Sequence, residues 1–155
     1  AIASFKGASK RLEKIAEGNG KVAYKDFAHS PSKVSATTKA VKAQYPNRKL
    51  VACLELHTYS SLNAEFLKEY EGALDAADVA VVFYSPDAVK IKQLEEVSYD
   101  QIAQSFQRDD LIIYTNPAEF KDFLFNYDLN NSALLLMSSG NYGGLNFDEV
   151  KRLIN

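Results

Sequence analysis

The chain has one cysteine and no tryptophan in 155 residues. A single thiol, Cys53, cannot close an internal disulfide; this excludes a disulfide-stapled fold and fits a reducing, cytoplasmic compartment. No apolar run is long enough to span a membrane. The opening residues, Ala1-Ile2-Ala3-Ser4-Phe5-Lys6-Gly7, lack the extended apolar middle of a signal peptide. Charge of one sign is missing too. Eighteen Lys and Arg against 20 Asp and Glu leave a formal net charge of −2, so bulk attraction to nucleic acid or an anionic membrane is not built in. Neither G-x-G-x-x-G nor G-x-x-x-x-G-K-[ST] occurs, which removes both common phosphate-cradling fingerprints. With only two histidines, His29 and His57, and no zinc spacing, a metal centre is not expected from these residues alone. A Ser–His–Asp triad lacks the G-x-S-x-G elbow that would support it. No initiator methionine is present, and a segment of a longer protein is the expectation.

What is present suits one soluble domain with a full core. The chain is 46% hydrophobic and 25% charged, and nine Tyr and nine Phe supply the large core side chains that tryptophan does not. Gly18-Asn19-Gly20 is a hairpin signal. It predicts two antiparallel strands, Arg11 to Glu17 and Lys21 to Phe27. Beyond them helical and strand patterns alternate. A helix is predicted over Ser32 to Tyr45, with Val34, Thr38, Val41 and Tyr45 on one face. A near-continuous apolar strand follows over Lys49 to Glu55, the pattern of a strand covered on both faces. Cys53 falls inside it and reads as a buried, inert thiol. Leu62, Phe66, Tyr70 and Leu74, four residues apart, predict a helix over Ser61 to Ala76. Strands are predicted over Asp78 to Tyr84, Leu111 to Thr115 and Ala133 to Met137. Helices are predicted from Ser98 to Phe106, after Asn116-Pro117, and at the C-terminus around Phe147, Val150, Leu153 and Ile154. The expected fold is therefore α/β, a mostly parallel sheet with helices on both faces, preceded by an antiparallel hairpin.

The pattern is organised around Asp26-Phe27-Ala28-His29-Ser30-Pro31. Pro31 suits the first helical position and Ser30 the N-cap, where its hydroxyl would accept a free backbone N–H. Asp26 and His29 thus stand where a strand ends and a helix begins, the place where open α/β sheets bind ligands. Two other polar loops, His57 to Ser61 and the glycine-rich Ser138 to Gly144, follow predicted strands and would share the same edge if those strands are parallel. An acidic turn residue and an ordinary surface histidine are the alternative reading of the first loop, and a plain turn that of the last.

Asp26-Phe27-Ala28-His29-Ser30-Pro31 resembles the D-[YF]-[AG]-H-x-P motif that opens the C-terminal domain core of the Mur ligases. Gly7-Ala8-Ser9-Lys10-Arg11-Leu12-Glu13 is similar to the family's upstream G-x-x-x-R-x-E segment. Glu55-Leu56-His57-Thr58-Tyr59-Ser60-Ser61 occupies the place of the P-H-R-Y-[ST]-R pattern of the alanine-adding members, with Thr58 and Ser61 where two arginines would stand. Met137-Ser138-Ser139-Gly140-Asn141-Tyr142-Gly143-Gly144-Leu145 resembles the M-S-N-G-G-F-G-G-I loop of the murein peptide ligases, the branch that the chain resembles most.

The resemblance implies a Rossmann-like C-terminal domain, residues 1–155, of a three-domain cytoplasmic bacterial enzyme. Such an enzyme uses ATP and Mg²⁺ to join an amino acid or peptide to UDP-N-acetylmuramate in peptidoglycan synthesis or recycling. The peptide implied is L-Ala-γ-D-Glu-meso-diaminopimelate. L-alanine, or a stand-alone nucleotide-binding module, is the alternative. The phosphate loop and most magnesium contacts would lie in the central domain, so the chain is expected to be inactive alone, with no catalytic residue and no metal ligand of its own. The same resemblance implies that Arg11, Asp26 and His29 face the nucleotide, and that His57, Ser139, Asn141 and Gly143 face the incoming substrate. The expected partners are these substrates and the enzyme's own N-terminal and central domains.

Overall fold

The structure is a computed structural model and describes residues 12–18, 20–28, 30–56, 68–84, 99–108, 110–138, 142 and 144–154. Strands β1 (Glu13–Gly18) and β2 (Lys21–Asp26) form the predicted hairpin, closed by Gly20 at φ +77°, a backbone region open to glycine. Then come α1 (Pro31–Gln44), β3 (Lys49–Glu55), β4 (Val79–Phe83), α2 (Tyr99–Phe106), β5 (Ile112–Tyr114), α3 (Pro117–Asn126), β6 (Ser132–Met137) and α4 (Phe147–Ile154). The strands make one six-stranded sheet in the order β1-β2-β6-β3-β4-β5, and every pairing after the hairpin is parallel.

β6, last in sequence, sits between β2 and β3 and is buried at all six positions. That position explains its unbroken apolar run, since a central parallel strand has no solvated face. One layer of core, from Val22, Tyr24, Leu50, Leu54 and Leu135, packs under α1. The other, from Val51, Val81, Leu134 and Leu136, packs under α3 and α4 with Phe120 and Val150.

α1 buries Val34, Thr38 and Val41, as its spacing predicts. Thr38 satisfies its own hydroxyl by donating to the Val34 carbonyl at 2.7 Å. α3 is capped by Asn116, whose Oδ1 accepts the N–H groups of Ala118 and Glu119 at 2.8 and 3.2 Å.

Two expectations fail. Ser30 has the extended backbone of an N-cap, and its carbonyl accepts from Val34 N at 2.9 Å, but its hydroxyl makes no cap hydrogen bond. Pro31 follows without an N–H, so this helix start has one donor fewer to satisfy. The predicted helix over Ser61 to Ala76 is not α-helical in its described part. Lys68–Tyr70 is a 3-10 turn, and bonds from Ala73 to Tyr70, Asp75 to Gly72 and Ala77 to Leu74 continue three residues back. Gly72 at φ +75° breaks any α-helix here. The Arg108 guanidinium then holds the carbonyls of Leu74 and Ala77 at 2.7 and 2.8 Å. Tyr70 and Leu74 are nonetheless buried, so their spacing reported burial and not helical period. Residues 61–67 lie outside the described residues.

Asp78 ties the N-terminal ends of β3 and β4 to α1. Its Oδ2 accepts from Leu50 N at 2.8 Å and from Lys42 Nζ at 2.7 Å. Burial pushes its carboxyl up, but the Leu50 N–H and the Lys42 ammonium outweigh this and hold it below its ordinary 3.8. A carboxyl with a depressed folded pKa stabilises the fold above its unfolded pKa, and that contribution is lost as pH falls through the lower folded value. Asp78→Asn should therefore flatten the loss of stability below pH 3.8, read from urea unfolding midpoints at pH 3 and pH 6 against the parent chain.

Candidate functional site at the C-terminal sheet edge

The parallel register sets Asp26 opposite Met137, and Met137 opposite Leu54. β2, β6 and β3 therefore end level, and the chain leaves all three at one edge. Ser138 extends the ladder by one step, its N–H donating to the Asp26 carbonyl at 3.0 Å.

Alternation along the strands separates two polar groups at this edge. Asp26 has the parity of Val22 and Tyr24 and points to the α1 face. It is 4% exposed. Its Oδ2 accepts from Thr37 Oγ1 of α1 at 2.7 Å, whereas Oδ1 is buried and makes no hydrogen bond among the described residues. Leaving a buried polar atom unpaired costs about 1–3 kcal/mol, more when charged. A buried carboxylate oxygen kept in this state is suited to a donor from a ligand, such as a sugar hydroxyl. Beside it Phe27 is the exposed large hydrophobic residue of this edge, and Ala28 returns to the core. The entry of α1, with Ser30, Ser32 and Ser35, lines an open cavity of about 490 Å³ facing Glu69 and Glu71.

On the opposite face Glu55 has the parity of Val51 and Cys53 and is 3% exposed. Its Oε1 accepts from Ser138 Oγ at 2.5 Å and from Tyr142 N at 2.8 Å. Tyr142 is buried in a left-handed conformation, φ +56°, which is uncommon for a residue with a side chain. Its hydroxyl lies 2.9 Å from the Cys53 carbonyl and 2.7 Å from that of Met137, and its ring stacks on Phe120 at 4.9 Å. Burial pushes the phenol well above its usual range, with Cys53 and Glu55 adding to the effect, and its carbonyl partners and ring stacking hold it in place. Burial likewise holds the Cys53 thiol protonated, in keeping with its inert reading.

Of the residues expected to face ligands, the structure describes Asp26. Arg11, His29, His57, Ser139, Asn141 and Gly143 lie outside the described residues. Among the described residues no group of three or more His, Cys, Asp or Glu side chains is placed to hold a metal ion. Sequence reasoning missed Thr37, Glu55 and Tyr142. The available signal for Glu55 was a carboxylate on a buried parity of an otherwise apolar strand; for Tyr142 it was an aromatic inside a glycine run.

A family model described as Mur ligase, glutamate ligase domain, matches residues 10–140. The chain belongs to the Mur ligase family. The UDP-N-acetylmuramate–L-alanine ligase of Microcystis aeruginosa is 32% identical over 148 residues, covering 91% of this chain and 30% of that protein. The same enzyme of Caldicellulosiruptor bescii is 39% identical over 82 residues, 53% of this chain and 18% of that protein. The chain thus spans less than a third of either relative. Among solved structures, a murein peptide ligase from Psychrobacter arcticus superposes with a TM-score of 0.73 at 18% identity, covering 95% of this chain and 30% of that one. A domain attributed to a UDP-N-acetylmuramate:L-alanyl-γ-D-glutamyl-meso-diaminopimelate ligase from Haemophilus ducreyi gives 0.58 at 23% identity and covers 93% of this chain and 97% of that one. These superpositions show a shared fold.

Among the described residues Thr37 carries the one side-chain hydrogen bond to the buried carboxylate of Asp26. Thr37→Val keeps the shape and removes the donor, leaving both oxygens unpaired. A stability loss of about 1–3 kcal/mol is expected from chemical denaturation. A loss below about 0.5 kcal/mol would mean that Asp26 is solvated and not held as described.

Proposed function

We propose that this chain is the C-terminal domain of a cytoplasmic, ATP-dependent Mur ligase. The whole enzyme would join L-Ala-γ-D-Glu-meso-diaminopimelate to UDP-N-acetylmuramate in peptidoglycan recycling. The observation that carries this reading is the unpaired, buried Oδ1 of Asp26 at the end of β2. A carboxylate with one oxygen held by Thr37 and the other left unpaired at a strand-to-helix junction fits acceptance from a nucleotide ribose hydroxyl. Arg11 and His29 would complete the nucleotide side, Arg11 by offering its planar fork to phosphate or ribose oxygens. His57, Ser139, Asn141 and Gly143 would face the incoming peptide. The chemistry that ATP supplies, with magnesium, is activation of the muramate carboxylate; a central domain would provide the phosphate loop and most metal contacts. This chain's part would be to bind and orient, with no proton transfer at a described side chain.

A second reading, addition of L-alanine, is favoured by the sequence relatives named above, which are L-alanine ligases, whereas the likeness to murein peptide ligases among them is structural. The two separate in one assay. The full-length enzyme is supplied with UDP-N-acetylmuramate, ATP and magnesium, and with either L-alanine or the tripeptide; phosphate release with the tripeptide alone supports the first reading.

Asp26→Asn in the full-length enzyme tests the carrying observation. It keeps size and removes charge, and charged hydrogen bonds are worth about 1.5–3 kcal/mol, so the KM for ATP should rise roughly tenfold or more. An unchanged ATP KM in a variant of unchanged stability would sink the assignment. The chain alone should release no phosphate from ATP when given the full substrate mixture, because it has no phosphate loop; measurable release would show chemistry that the domain reading does not contain.

A further inference from the structure

Glu55 is the second buried carboxylate of the sheet edge, and the activity described so far leaves it without a role. It is the last residue of β3 and 3% exposed, on the face opposite Asp26. A carboxylate is expensive to bury unless its oxygens are hydrogen-bonded. Here one oxygen accepts from two residues of the stretch that follows β6, Ser138 Oγ at 2.5 Å and Tyr142 N at 2.8 Å. Tyr142 is locked further by its hydroxyl between the Cys53 and Met137 carbonyls and by its left-handed backbone. Charge-assisted bonds to hydroxyl and backbone N–H are short and directional, so Glu55 fixes where the chain leaves β6 and where it returns.

We propose that Glu55 is a positioning residue for the acceptor side of the ligase site. It acts by holding Ser138 and Tyr142 and has no contact of its own with the reacting groups. The nucleotide side is held separately: Asp26 is oriented by Thr37 on the other face, and the Ser138 N–H bond to the Asp26 carbonyl is a backbone bond that loss of the Glu55 side chain leaves in place. The two sides of the site are therefore mechanically separable, and Glu55 governs one of them. This inference rests on the ligase reading above.

The test uses the full-length enzyme with UDP-N-acetylmuramate, ATP, magnesium and whichever of L-alanine or the tripeptide it consumes. Glu55→Ala should raise the KM for that acceptor fivefold or more while the KM for ATP stays within twofold. Glu55→Gln retains an accepting oxygen at the same place and should recover most of the loss. Ser138→Ala removes one of the two bonds and should raise the acceptor KM by twofold or more, which keeps the test open if Glu55→Ala does not fold. A lower Tm with unchanged kinetic constants would overturn the positioning role, as would acceptor and ATP constants rising together or a Glu55→Gln variant no better than Glu55→Ala. Absence of turnover by the parent enzyme with either acceptor would instead overturn the ligase reading itself.

Discussion

The placement of β6 between β2 and β3 is the constraint on which the rest of this domain depends. A strand inserted last into the middle of a parallel sheet must be apolar on both faces, and Ala133 to Met137 are buried throughout. Its ladders to both neighbours also level their ends: Asp26, Met137 and Leu54 share one register line. Slipping β6 by one residue would exchange its two faces, putting Leu134 and Leu136 under α1 and Leu135 under α3 and α4. The same slip would carry Ser138 away from the Asp26 carbonyl and from Glu55. Core packing thus fixes the geometry of the polar edge to within a hydrogen bond.

At that edge the two buried carboxylates are treated differently, and the contrast is informative. Glu55 is satisfied from within the domain, by a serine hydroxyl and a backbone N–H. Among the described residues Asp26 is half satisfied, by Thr37, with Oδ1 enclosed and unpaired. A purely structural carboxylate would be expected to look like Glu55, since leaving a buried acceptor empty costs stability with no return inside the fold. The unpaired oxygen belongs to the residue that opens the strand-to-helix junction, next in sequence to the exposed ring of Phe27. Among the described residues Arg48 Nη1 is the other buried side-chain atom left without a hydrogen-bond partner, but Asp26 Oδ1 is the acceptor at the sheet edge, where on the proposed reading a ligand donor would satisfy it.

Most of the fold could be read from apolar patterning because the strands are buried on both faces and the turns between them carry glycine, asparagine or proline. β3, β4 and β6 are continuous apolar runs, and the hairpin is marked by Gly18-Asn19-Gly20. The stretch ending at Ala76 was misread for a physical reason. Tyr70 and Leu74 are core residues at helical spacing, but a positive-φ glycine between them and an arginine cap on the following carbonyls favour successive tight turns. At the site, Asp26 was readable because its motif couples a strand end to Pro31. Thr37 was not, because a threonine on a helix face carries no sign that it meets a carboxylate eleven residues earlier. Glu55 and Tyr142 were hidden similarly: their bond joins positions 87 residues apart, a relation that only the β3–β6 pairing creates.

The strand order also orders the proposed ligands. β2 carries Asp26, β3 carries Glu55, and β6 lies between them, so the two carboxylates sit on strands about 10 Å apart across the sheet. They point to opposite faces as well. A two-substrate ligase needs its nucleotide and its acceptor held by separate groups that do not compete for one pocket, yet close enough that both reach one reacting centre. On the proposed reading, the edge of this sheet would meet both requirements. Ser138 is the shared element: its backbone joins the Asp26 side and its hydroxyl joins the Glu55 side. On the proposed reading, a single residue beyond β6 therefore holds the two half-sites at a fixed spacing, while the side chains on each face remain free to suit different ligands.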